Sequence, residues 1–161
     1  MNTKLVALAI LAIGAVGLTS AAVAGPSSKK KLQRVVITAA PNGDNDHFVL
    51  RPLKAGRVSP DSGSRTACCW SQRFIVRDGQ RIEIDNPLVT YTGKLGTFTY
   101  RAQIAWVDAG NGYTIGTGTW KLVQGSGAYK HFKGHGRLAI SLLQGQDVDA
   151  SWQAEGYLGP R

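Results

Sequence analysis

Apolar and polar residues alternate with a period of two along most of the chain from residue 33 onward. That is the signature of strands with one buried face. The pattern predicts strands over 33–39, 47–50, 72–77, 81–84, 96–108, 113–123, 128–132, 137–143 and 148–158. In the clearest of them Phe98, Tyr100, Ala102, Ile104 and Trp106 share one face, opposite Thr97, Thr99, Arg101 and Gln103. In the last strand Val148, Ala150, Trp152 and Ala154 oppose Asp149, Ser151, Gln153 and Glu155. Turn chemistry punctuates the strands at Pro41-Asn42-Gly43-Asp44, Asp78-Gly79, Ala109-Gly110-Asn111-Gly112 and Gln124-Gly125-Ser126-Gly127. Residues 51–67 hold two Pro and two Gly and read as a long irregular loop.

Consecutive strands with short connections make an antiparallel meander. Closing it removes both exposed edges, so the expected fold is all-β, an antiparallel barrel of about seven to nine strands over 33–161. A two-sheet sandwich is the alternative. Glycines inside strands, such as Gly116 and Gly118, suit sharp bends or bulges.

The first 24 residues follow another rule. Lys4 precedes an unbroken apolar run over 5–18, and Ala22-Val23-Ala24 offers small residues at a cleavage site. This predicts a helical signal peptide over 1–24, cut between Ala24 and Gly25, and hence export to the periplasm or beyond the cell. Fourteen apolar residues fall short of the ~20 that cross a bilayer. A basic, flexible segment over 25–32 follows, with Lys29-Lys30-Lys31.

Charge then changes the picture. The 161-residue chain carries a formal +9, and residues 25–81 hold 11 basic against 4 acidic groups, while 82–161 hold 7 against 6. An anionic envelope polymer or a lipid surface is the expected partner of the basic half. Arg73, Arg77 and Arg81 are expected to form a local positive patch near the Asp78-Gly79 turn. It lacks the interleaved exposed aromatics of a single-stranded nucleic-acid platform, and nucleic acid is not an expected partner.

Gly116 to Val123 runs through a glycine-rich turn into a stretch that carries Gly125, Gly127, Tyr129, Gly134 and Gly136, and Glu155-Gly156-Tyr157 lies in the closing strand. This stretch of about 45 residues resembles allene oxide cyclase-like and dirigent-like barrels. The resemblance implies a barrel and, as one functional alternative, an isomerase or cyclase acting on an oxygenated hydrophobic substrate. It carries over no catalytic residue. Gly118-Thr119-Trp120 matches the short G-x-W signature of lipocalins, but it lies late in the chain and no C-terminal helical pattern follows.

Candidate chemistry is sparse. Cys68 and Cys69 are adjacent, and Cα atoms about 3.8 Å apart lie below the usual disulfide range. A strained vicinal disulfide, an intermolecular bridge and free thiols all stay open. His131 and His135 stand four apart, but Gly134 and Gly136 argue for a turn rather than a helix face, so no metal site is expected. The alternating acids Glu83, Asp85, Asp149 and Glu155 are expected on a solvated strand side. No phosphate-cradling or nucleophile-elbow motif is present and no cofactor is expected. Phe98, Tyr100, Trp106, Trp120 and Trp152 are candidates either for core or for the lining of a cavity that takes a small apolar or aromatic ligand. Non-enzymatic ligand binding inside an exported barrel is therefore the first expectation. A solid-cored surface interaction protein and the cyclase-like activity are the alternatives.

Overall fold

A computed structural model describes residues 32–42, 45–143 and 149–161, and they are all-β. The expected signal peptide and nearly all of the basic segment over 25–32 lie outside the described residues. Ten strands follow in order: β1 (Gln33–Asn42), β2 (Asn45–Pro52), β3 (Asp61–Cys68), β4 (Gln72–Arg77), β5 (Gln80–Asp85), β6 (Leu88–Gly93), β7 (Gly96–Gly110), β8 (Tyr113–Gly125), β9 (Phe132–Leu143) and β10 (Asp149–Pro160). The ring β1–β2–β3–β6–β7–β8–β9–β10 closes on itself through β10 and β1, and every pair is antiparallel. The protein is a closed eight-stranded antiparallel barrel.

The two remaining strands lengthen two walls. Asp85 faces Ile104 and Leu88 faces Arg101, so the register along β7 carries from β5 into β6 unchanged. Pro87 lacks an N–H and breaks the ladder between them, but its carbonyl still accepts from the Ala102 N–H at 3.0 Å. On the neighbouring wall Cys68 faces Leu88 and Gln72 faces Asp85. Three residues separate the first pair of positions and two the second, which is a bulge of one residue at Cys69-Trp70-Ser71. Cys69 takes up the bend at φ +59°. The β4–β5 hairpin thus runs past the last β2–β3 pair, Asp46 with Arg65, as a two-stranded tongue at one end of the barrel. Its turn has positive φ at both Asp78 and Gly79, the conformation that matches strand twist in a two-residue hairpin.

Three expectations need correction. Residues 51–67 are not all loop: β3 runs from Asp61 to Cys68. Its inward positions are Asp61, Gly63, Arg65 and Ala67, small or charged groups that give no hydrophobic alternation. β6 adds a strand where none was predicted. The strand expected over 128–132 is instead a single 3-10 turn at Gly127–Tyr129, with β9 starting at Phe132. Gly127 at φ +54° folds this turn back across the barrel end.

The inward faces build one continuous core, with Val35, Ile37, Phe48, Leu50, Val89, Tyr91, Tyr100, Ala154 and Leu158 all at 0% exposure. Burial of such side chains contributes roughly 1.5–3 kcal/mol each. Trp120 reaches across this core only because the wall beneath it is glycine. A Cβ on Gly136 would stand 2.6 Å from Trp120 Nε1, and one on Gly156 2.8 Å from Trp120 Cζ2. The indole N–H donates to the Glu155 carbonyl at 3.1 Å, which satisfies its one buried polar atom.

Candidate functional site

Three places carry functional side chains: the interior, the tongue and the outer wall. Phe98, Tyr100, Trp120 and Trp152 all point into the interior and are buried. The rings of Phe98, Tyr100 and Trp120 touch other rings. Tyr91 stacks on Phe98 at 4.8 Å, Phe48 meets Tyr91 edge-on at 4.9 Å, Phe98 lies 4.9 Å from Tyr129, and Tyr100 lies 5.4 Å from Trp120. Polar atoms inside are joined as well. The Trp152 N–H donates to the Tyr100 hydroxyl at 2.9 Å, and the Tyr100 and Tyr91 hydroxyls share a hydrogen bond of 2.8 Å. Burial holds the Tyr100 hydroxyl well above the ordinary phenol range, and the Tyr91 hydroxyl adds to it. This is a packed aromatic core in which the Tyr100 phenol stays protonated.

Two charged groups sit inside the wall. Arg65, 8% exposed, donates through Nε to Asp46 Oδ2 at 2.9 Å and lies 4.4 Å above the Trp152 ring. At the opposite end Asp61, 6% exposed, accepts from the backbone N–H groups of Ser62 at 2.8 Å and Lys94 at 2.9 Å. It also takes the Tyr129 hydroxyl at 2.8 Å. Sequence reasoning missed both, since an isolated Asp or Arg gives no signal until cross-strand register is known.

Trp106 differs from the other four candidates. It is half-buried at the base of the tongue, and its indole N–H donates to Asp85 Oδ2 at 2.9 Å. Asp85 was expected on a solvated face, but it is 8% exposed, and Oδ1 is buried without a hydrogen-bond partner among the described residues. Desolvation raises its pKa, the Trp106 N–H opposes the rise, and Glu83 adds to it.

On the tongue the arginines do not gather as the sequence suggested. The two-residue turn pairs Arg77 with Gln80, so Arg81 pairs with Val76. Arg81 therefore lies on the opposite face from Arg73 and Arg77, and its guanidinium stands 3.7 Å from the Phe74 ring centroid. Exposed apolar residues do interleave with the arginines here: Trp70, Phe74 and Val76 are all exposed. Cys68 and Cys69 stand beside them as exposed thiols, unbridged. A hydrogen bond with the Cys69 thiol raises the pKa of Cys68.

The outer wall carries what the sequence did not single out. Arg34 faces Tyr157, Tyr157 faces His135 and His135 faces Lys121, one row over β1, β10, β9 and β8. The next row sets Glu155 against Arg137 and Arg137 against Thr119. Between them lies a concavity of about 760 Å³ lined by these residues, Lys121 excepted, with Gln153, Gly136 and Gly156. Arg34 pairs with Glu155 at 3.2 Å, and the Tyr157 and His135 rings lie 5.9 Å apart. A second concavity of about 430 Å³, lined by Thr38, His47, Ser151 and Gln153 among others, adjoins it through Gln153.

Set against family models, curated proteins and solved structures, the chain matches none.

Proposed function

We propose that the chain is exported and acts as a non-enzymatic interaction protein, a solid-cored barrel that binds an anionic partner on its outside. The single observation that carries this reading is the interior: Phe98, Tyr100 and Trp120, three of the candidate cavity-lining rings, pack against other rings. A small apolar ligand inside would have to displace that packing. The formal charge of +9 and the outward cations supply the attraction instead. Export rests on the apolar run over 5–18 and the small residues at 22–24. The glycine pattern that resembles allene oxide cyclase-like barrels supports the barrel type, and a cyclase would need a cavity beside a buried acid. Asp85 is a buried acid, but the Trp106 N–H occupies its Oδ2.

The test is a paired binding assay with Nile red, a neutral apolar probe, and a soluble polyanion. The proposal expects saturable binding of the polyanion and none of the dye. Saturable dye binding that quenches tryptophan emission, without polyanion binding, overturns it in favour of a ligand inside the barrel.

A further inference from the structure

We propose that the outer-wall concavity over β1, β10, β9 and β8 is a binding site for an acidic polysaccharide, a chain of carboxylate-bearing sugars. The proposal rests on the anionic-partner reading above and names its site and its ligand class.

Three features meet there. First, Arg34 and Arg137 stand against one carboxylate, Glu155, so the local balance is positive. The Arg34–Glu155 pair is a surface contact with both side chains about half exposed. Such a pair holds weakly against water, and it engages one nitrogen of a group with five N–H donors. A guanidinium fork matches a carboxylate in two parallel hydrogen bonds. Second, Tyr157 is 47% exposed beside His135. A flat ring with an apolar face and a polar rim accepts the C–H face of a sugar. Third, among small and apolar groups such as Gly136, Leu138, Ala139 and Val49, the lining and its extension offer amides and hydroxyls, Gln153, Thr119, Thr38 and Ser151, which suit the hydroxyls of a sugar chain. The two adjoining concavities give a polymer a path longer than one unit.

The same features argue against other polyanions. A single-stranded nucleic-acid platform stacks successive bases on several aromatics, whereas one exposed tyrosine and one histidine stand here. A lipid-inserting surface presents a broad apolar face, and here Arg34, Arg137 and Glu155 interrupt it. The exposed apolar groups Trp70, Phe74 and Val76 are on the tongue instead.

Equilibrium binding of the purified chain to polygalacturonate tests the site, with dextran, poly-dT and phosphatidylglycerol vesicles as comparison probes. Arg34→Gln with Arg137→Gln should weaken polygalacturonate binding at least about tenfold, and Tyr157→Ala several-fold with the salt dependence kept. Glu155→Gln should strengthen it about two- to threefold, a gain that misfolding cannot imitate. Arg73→Ala, Arg77→Ala and Arg81→Ala together should leave it within about twofold. Loss in the tongue triple variant with none in the wall variants overturns the site and leaves the anionic-partner reading standing. Preference for poly-dT or vesicles overturns the sugar class alone. Binding to none of the anionic probes overturns both.

Discussion

Tyr129 donates its hydroxyl proton to Asp61 Oδ2 at 2.8 Å, joining the 3-10 turn before β9 to the first residue of β3, 68 positions away. Both groups are buried, and Gly93 leaves the room they need: a Cβ there would run into the Asp61 carboxylate. One acid thus ties three connections of the barrel end, since it also holds the backbone N–H groups of Ser62 and Lys94. Burial of the Tyr129 hydroxyl, with the Asp61 carboxylate beside it, holds it far above the ordinary phenol range, so the donor keeps its proton.

The seal should be measurable by denaturant unfolding. Tyr129→Phe removes one charged hydrogen bond and should cost about 1.5–3 kcal/mol. Asp61→Ala leaves the Ser62 and Lys94 N–H groups and the Tyr129 hydroxyl without their acceptor and should cost more, about 1–3 kcal/mol for each donor that stays buried. Equal and negligible effects would show that the turn docks by apolar contact alone.

Trp120 makes a second, steric prediction. Gly136→Val places a branched side chain against the Glu155 carbonyl and the indole. Overpacking of this kind costs about 1–3 kcal/mol or more. Trp120→Leu in the same chain relieves the indole part of the clash but not the backbone part, so the double variant should lose less than the sum of the two single losses. Simple additivity of the two losses in thermal unfolding would sink the contact.

How much of this was legible in the sequence follows from what alternation can carry. The faces of β7 are as predicted, because Phe98, Tyr100, Ala102 and Ile104 are apolar without interruption and turns flank them. β3 was illegible because its inward residues are Asp61, Gly63, Arg65 and Ala67, and Gly63 is there to clear the Thr92 carbonyl. The 3-10 turn was illegible because Tyr129 looks like a strand residue until the barrel end exists for it to fill. Parity placed Glu155 outward correctly. That Arg34 and His135 flank Tyr157 depends on the β1–β10 and β9–β10 registers, which no single strand encodes.

Asp85 gives a pH prediction. Its folded-state pKa is raised by desolvation, so the folded state binds the proton more tightly than the unfolded chain. Its contribution is most favourable below the unfolded value of about 4 and is lost as pH rises through the folded one. Asp85→Asn keeps an acceptor for the Trp106 N–H and removes the titration. The variant should melt higher than the parent at pH 7, and that advantage should shrink as pH falls through the raised folded pKa and level off below about 4. A constant difference across this range would mean that Asp85 does not titrate between the two states.

The central claim is that a solid barrel meets an anionic partner through outward charge, and the salt dependence of binding to polygalacturonate tests it most directly. Log affinity should fall linearly with log salt between 50 and about 300 mM, with the slope reduced in the Arg34→Gln, Arg137→Gln variant. Binding that persists unchanged across that range, or a slope that the double variant does not alter, would contradict it.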